Sequence, residues 1–316
     1  MVSVQDAYEV VVVGGGAAGL NGALMLARSR RSVLVVDAGA PRNAPADGVH
    51  GLLGREGMPP LELVRRGREE VRGYGGEIID GEVTGARRDG EEFVVGLAGG
   101  RSVRAKRLLV TTGLVDELPE VPGLRERWGR DVVHCPYCHG WEVRDEPIGV
   151  LATGPASMHH ALLFRQLTGD LMFFQHQQPD LTDEQAEQLA ARGITVVTGE
   201  VAEIEINNDA IDGVRLKSGS VIPRRVIAVA TRMVARADFL AGLGLKAVPH
   251  MSGMGEHVPA DPTGRTEVPG VWAAGNVTDL SAQVGSAAAA GAFAGAQINM
   301  DLVVAETALA VAARSH

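Results

Sequence analysis

The chain has 316 residues, which suits about two domains better than one core. It is 45% hydrophobic with 41 glycines and few aromatics, the composition of a glycine-punctuated α/β protein. Thirty basic against 39 acidic residues give a net charge of −9, which leaves no basic footprint for nucleic acid and argues against an anionic membrane surface.

The N-terminal elements predict a βαβ opening: strand Tyr8–Val13, a helix over about Ala17–Ser29 and strand Val33–Asp37. A Pro-, Gly- and Asn-rich loop runs from Ala38 to Pro60. An amphipathic helix is predicted over Leu61–Tyr74, with Leu61, Val64 and Val71 at helical spacing. Short strands are predicted at Glu77–Val83, Glu92–Leu97 and Arg101–Arg104, ending in Leu108–Val110 and Thr111-Thr112-Gly113. A similar order then recurs, with strand Ile148–Leu151, helix Ser157–Leu167 and strand Leu171–Phe174. Thr182 followed by Gln185 has the capping-box pattern and opens a helix to Ala191. Strands follow at Thr195–Val197, Val201–Ile206, Val214–Leu216 and Val226–Val229.

The last segment, with strand Val271–Ala274 and a small-residue helix Gln283–Asn299, has no glycine fingerprint and is too short to stand alone. The expected fold is therefore α/β, with two Rossmann-like, three-layer ββα nucleotide-binding domains. The second, 117–247, is inserted into the first, 1–116 and 248–316. No stretch is expected to approach the roughly 20 apolar residues of a bilayer span. The start, Met1–Asp6, lacks the basic and apolar regions of a signal peptide, so the expected location is cytoplasmic.

Gly14-x-Gly16-x-x-Gly19 sits between the first strand and the first helix. Its glycines permit a tight turn and close approach of backbone to a pyrophosphate at the helix N-terminus. Asp37, roughly 20 residues on, can accept hydrogen bonds from ribose hydroxyls. Strand, helix and acid together favour a bound nucleotide over an empty glycine turn.

The only cysteines lie in Cys135-Pro136-Tyr137-Cys138-His139. Zinc needs about four ligands, no second pair exists, and His134 and His139 lie too close in sequence to complete a tetrahedron easily, so no metal is expected. Cys-x-x-Cys-His also matches c-type haem attachment, but no signal peptide accompanies it. Two inert buried thiols are the bland alternative. With a dinucleotide site in the same chain, a redox pair is the favoured reading. His139 is a candidate proton carrier for thiol exchange; His134 has equal claims to a structural role, and Glu142 fits an ordinary loop carboxylate better than a partner for His139.

With these pieces in order, the chain resembles the thioredoxin-reductase family of two-domain flavoproteins across nearly its whole length. The matches are Gly14–Gly19 with Asp37, Thr111-Thr112-Gly113, Cys135–Cys138, Gly270–Val277 and Gln283–Ala288. The resemblance implies bound FAD, a homodimer and a redox disulfide facing the isoalloxazine ring. It adds Thr112, Gly113, Gly275, Asn276, Gln283 and Val284 to the cofactor-binding positions Gly14, Gly16, Ala17, Ala18, Gly19 and Asp37. Three departures stand out. The second glycine fingerprint, for NADPH, reads Ala152-Thr153-Gly154-Pro155-Ala156-Ser157, and the family's arginines for the 2′-phosphate are missing from Gln175–Asp180. The acid after the second cysteine is His139, and the late flavin-contacting Asp is Asn276.

Cys135–Glu142 looks most like the branch of dithiol oxidases that close the disulfides of natural products such as gliotoxin, holomycin and romidepsin, antibiotic-type metabolites. The expected activity is oxidation of a small dithiol. Substrate attacks Cys135, Cys138 passes electrons to FAD, and O2 is the acceptor, giving hydrogen peroxide. The alternative is an NADPH-dependent thioredoxin or small-disulfide reductase. A ferredoxin-linked reductase fits a chain at −9 poorly if that carrier is acidic too. A non-enzymatic redox sensor would show no turnover.

Overall fold

The structure is a computed structural model and describes residues 5–314. The chain divides into two compact units, one formed by residues up to 44, 58–115 and from 233 on, the other by 45–57 and 116–232. The expected α/β class holds in both.

In the first unit, β1 (Ala7–Val13), α1 (Ala17–Arg28), β2 (Val33–Asp37), α2 (Pro60–Gly73), β3 (Glu77–Asp80), β4 (Val83–Asp89), β5 (Glu92–Leu97) and β6 (Ser102–Val110) follow in order. Strand Val271–Ala273 and a last helix, Val284–Ala313, complete the unit. The sheet order is β3-β2-β1-β6-β5-β4, and Val271–Ala273 pairs in parallel with β6. β1 lies parallel to both β2 and β6, whereas β4, β5 and β6 form an antiparallel meander. A parallel strand covered on both faces should be apolar, and β1 is so over its buried run Val10–Val13. Val11 and Val13 face one core with Phe93 and Leu108, and Val10 and Val12 face the other with Leu26 and Trp272.

Four sequence expectations change here. The run Glu77–Val83 is two strands broken at Gly81-Glu82, and Arg101–Arg104 with Leu108–Val110 is the single strand β6. The last helix runs on past Asn299 to Ala313, and by length and composition it could cross a membrane, contrary to the expectation that no stretch approaches that length. Its buried residues, Ala287, Gly291, Ala294, Gly295, Ile298 and Leu302, recur every three or four positions and pack within this unit's core. At Gly291 a Cβ would run into the Ala18 carbonyl, so glycine is what lets this helix approach α1.

The second unit has a five-stranded parallel sheet in the order Thr195–Val197, Leu171–Phe174, Ile148–Leu151, Val226–Val229, Val132–Val133. Helices Ala156–Phe164 and Asp183–Ala191 alternate with its strands, and the predicted capping box is present in both directions between Thr182 and Gln185. An antiparallel sheet of Val201–Asn207, Ala210–Leu216 and Val221–Ile222 makes the third layer.

Candidate active site

In the first unit, β1 ends at Val13 and the chain turns through Gly14 at φ +103°, a left-handed conformation that favours glycine. The Thr111 hydroxyl donates to the carbonyls of Val13 and Gly14, tying this turn to the end of β6. A Cβ at Gly19 would strike the Gly14 carbonyl, so the third glycine sets the close packing of turn and helix. A Cβ at Gly16 would meet nothing within 4 Å, and no side chain caps the N-terminus of α1. This open, uncapped turn before Ala17 and Ala18 is a cradle for a pyrophosphate. Asp37 is buried; its Oδ1 accepts the N–H groups of Gly15 (3.1 Å) and Gly39 (3.2 Å), and its Oδ2 lies 3.9 Å from the Arg68 guanidinium. A cavity of about 370 Å³ opens beside it, lined in part by Gly39, Leu61, Arg68 and Asp80.

Of the other expected cofactor positions, Thr112 and Gly275 lie against the same turn and helix. Thr112 lies beside Gly14, and Gly275, at φ +79°, lies against Ala18. Gly113 is left-handed with open space above its Cα. Gln283 is the N-cap of the last helix and makes no side-chain cap, and Val284 is that helix's first residue. Asn276 behaves differently: its amide donates to the carbonyls of Asp279, Leu280 and Ala282, which no carboxylate could do. Asn at this position therefore fastens its own loop. These residues fit FAD.

In the second unit, strand Val132–Val133 leads through His134 to Cys135, and Pro136 starts the short helix Pro136–His139. Cys135 and Cys138 are joined in a disulfide with Cα atoms 5.2 Å apart, inside the usual range. Cys138 is exposed and Cys135 half-buried. The Cys138 and His139 N–H groups both donate to the Cys135 carbonyl. A Cβ on Gly140 would collide with the Pro136 carbonyl and Leu167, so this glycine fixes how the cysteine helix seats on the unit.

His139 is half-buried beside the pair; burial lowers its pKa below 6.5, opposed by the charges of Glu142 and Asp47. It is therefore neutral at pH 7 and able to accept a proton. His134 sets its Nδ1 3.1 Å from the Val229 carbonyl; a carbonyl only accepts, so the proton sits on Nδ1 and Nε2 is the basic nitrogen. Edge-on to it, with ring centroids 5.1 Å apart, lies His160, which is 9% exposed with its Nδ1 unpartnered among the described residues. Burial, then the neighbouring His134 and His159, lowers the His160 pKa to about 4.

The second glycine turn is closed from within. Ser157, fully buried, accepts on its hydroxyl the N–H groups of Thr153 (3.0 Å) and Gly154 (3.4 Å), while Thr153 donates to the Ala230 carbonyl. These N–H groups would otherwise face a dinucleotide's phosphates. After strand Leu171–Phe174, Gln175 spends its amide on Gln178, Pro179 and Asp180, and no Lys or Arg occurs between Phe174 and Arg192. Neither segment offers a cation for a 2′-phosphate. The occupied turn was visible in sequence only as an ordinary serine in the helix's first turn.

Comparison with known proteins agrees with both units. The chain belongs to the pyridine nucleotide-disulphide oxidoreductase family, whose profile matches residues 8–294. "Thioredoxin reductase tcpT" of Claviceps purpurea is 28% identical over 315 residues, covering 96% of each chain. "Thioredoxin reductase sirT" of Leptosphaeria maculans is 28% identical over 98% of each. The crystal structure of HlmI superposes with a TM-score of 0.92 at 46% identity, covering 99% of this chain and 98% of that one. An oxidoreductase from Agrobacterium tumefaciens has a TM-score of 0.88 at 36% identity, covering 94% and 99%. The protein is a thioredoxin-reductase-like disulfide oxidoreductase, and its cofactor is FAD.

Proposed function

We propose that this enzyme is a dithiol oxidase, forming a disulfide in a small natural-product dithiol and passing the electrons to O2. The observation that carries this reading is the pairing of a formed Cys135–Cys138 disulfide with a phosphate turn already filled by Ser157. Electrons have a thiol entry and no built pyridine-nucleotide entry.

A substrate thiol loses its proton to His139 Nδ1 or Nε2, and the thiolate attacks Cys135 Sγ. The Cys135–Cys138 bond breaks, leaving Cys138 as thiolate and a substrate–Cys135 mixed disulfide. The second substrate thiolate then attacks the substrate sulfur of that bond and releases Cys135. The balance is one dithiol oxidised and one protein disulfide reduced. The chemistry FAD supplies when bound in the Gly14–Gly19 cradle is two-electron acceptance, with O2 as final acceptor and hydrogen peroxide as product. A second copy of the chain is the proposed partner, supported by exposed Phe293, Met300, Val304 and Leu309 on the last helix.

An oxygen electrode tests the reading: one O2 consumed and one hydrogen peroxide formed per dithiol closed, unaffected by NADPH. Dithiol formation from a disulfide at the expense of NADPH would establish the reductase alternative instead.

A further inference from the structure

Loop 45–57 groups with the unit that carries the disulfide, although the chain on either side of it belongs to the other unit. At its base the Gly57 N–H donates to the Val49 carbonyl (2.9 Å), Val49 is buried, and Pro45 packs on Gly129 where a side chain would not fit. Beyond that base the loop is mostly exposed, Leu53 completely so, and Gly51, Gly54 and Gly57 at positive φ lower its intrinsic stiffness.

His50 is the exception. Its Nδ1 lies 2.5 Å from Oε1 of Glu56 in the same loop, and Glu56 Oε2 accepts the Gly51 N–H at 2.9 Å. Its Nε2 lies 3.4 Å from Glu142 Oε1, three residues beyond His139. The ring thus has a carboxylate oxygen beside each nitrogen, one from its own loop and one from the segment after the cysteine helix. Glu142 is thereby committed to the loop rather than hydrogen-bonded to His139.

We propose that Glu56, His50 and Glu142 are positioning residues that fasten loop 45–57 to the disulfide-bearing segment, so that the fastened loop forms part of the wall holding a dithiol against Cys135. This rests on the dithiol-oxidase reading. Loss of the bridge frees the loop, lowers the occupancy of productive substrate poses and leaves the sulfur chemistry intact.

The test uses FAD-loaded wild type, His50→Gln, Glu142→Gln and the double variant. Hydrogen–deuterium exchange of the peptide over 48–57 should be faster by about fivefold in each single variant. It should be no faster in the double, because either change breaks the same link. KM for a small dithiol such as dithiothreitol should rise by a similar factor with kcat within twofold. Equal exchange in all four proteins, additive effects in the double variant, or faster exchange with an unchanged KM would each overturn the proposal. The exchange measurement needs no turnover. If wild type oxidises no dithiol, the reading itself fails, and the wall falls with it while the fastening is still decided.

Discussion

Replacing His139 by Gln should slow dithiol oxidation severely at pH 7, and the defect should fade as pH rises. Burial holds the imidazole neutral there, so it is ready to take the proton of an incoming thiol. A substrate thiol of ordinary pKa near 8.5 is only about 3% thiolate at pH 7 and about 75% at pH 9. Direct attack by pre-formed thiolate therefore gains about 25-fold across that range without any base. General-base assistance is typically worth about 10²–10⁴-fold, so a variant at least 100-fold slow at pH 7 should recover most of one to two decades by pH 9. The wild-type rate should persist below pH 6.5 and fall only where the depressed His139 pKa is reached. Steady-state kcat/KM with dithiothreitol from pH 5 to 9.5 reads both limbs, with bound FAD measured by absorbance. Parallel profiles offset by a constant factor would show that His139 only packs, and coincident profiles would remove it from the mechanism.

Asp37→Asn should weaken FAD binding by about 10–100-fold, the worth of a charge-assisted hydrogen bond, in a flavin-fluorescence titration of the apoprotein; an unchanged Kd would remove Asp37 from the ribose site. His160, with its folded pKa at about 4 against an unfolded value near 6.5, binds its proton more tightly in the unfolded chain. Its contribution is therefore present above pH 6.5 and lost as pH falls toward 4. Urea unfolding should show a loss of about 2 kcal/mol between pH 7 and 5 that His160→Leu lacks; equal losses in both proteins would refute the assignment. Gly140→Ala should displace the cysteine helix from Leu167 and lower dithiol oxidation at least tenfold with FAD content unchanged; full activity would show that the segment yields.

What could be read in advance was local. Gly14–Gly19 with Asp37 combines a turn, a helix start and an acid within one βαβ unit, and Thr182 with Gln185 is a four-residue cap; short-range chemistry decides both. Other local signals are decided by their surroundings. Asp80-Gly81-Glu82 is a turn signal inside Glu77–Val83 and does break the run into two strands, whereas the polar Asn299 and Asp301 do not stop the last helix, which continues to Ala313. The remaining features depend on partners far apart in sequence. His50 meets Glu142, and His134 meets His160. Ser157 is legible as a rival to phosphate only once Thr153 and Gly154 are seen to point their N–H groups at it.

In the proposed reaction electrons enter through Cys135–Cys138 and not through the second glycine turn. Anaerobic stopped-flow compares the rate at which the FAD-loaded enzyme loses flavin absorbance with dithiothreitol and with NADPH at equal concentration. Bleaching by the dithiol should be rapid and abolished in Cys135→Ser and in Cys138→Ser, and bleaching by NADPH slower by orders of magnitude. Rapid bleaching by NADPH, or dithiol bleaching that survives loss of either cysteine, would contradict that route.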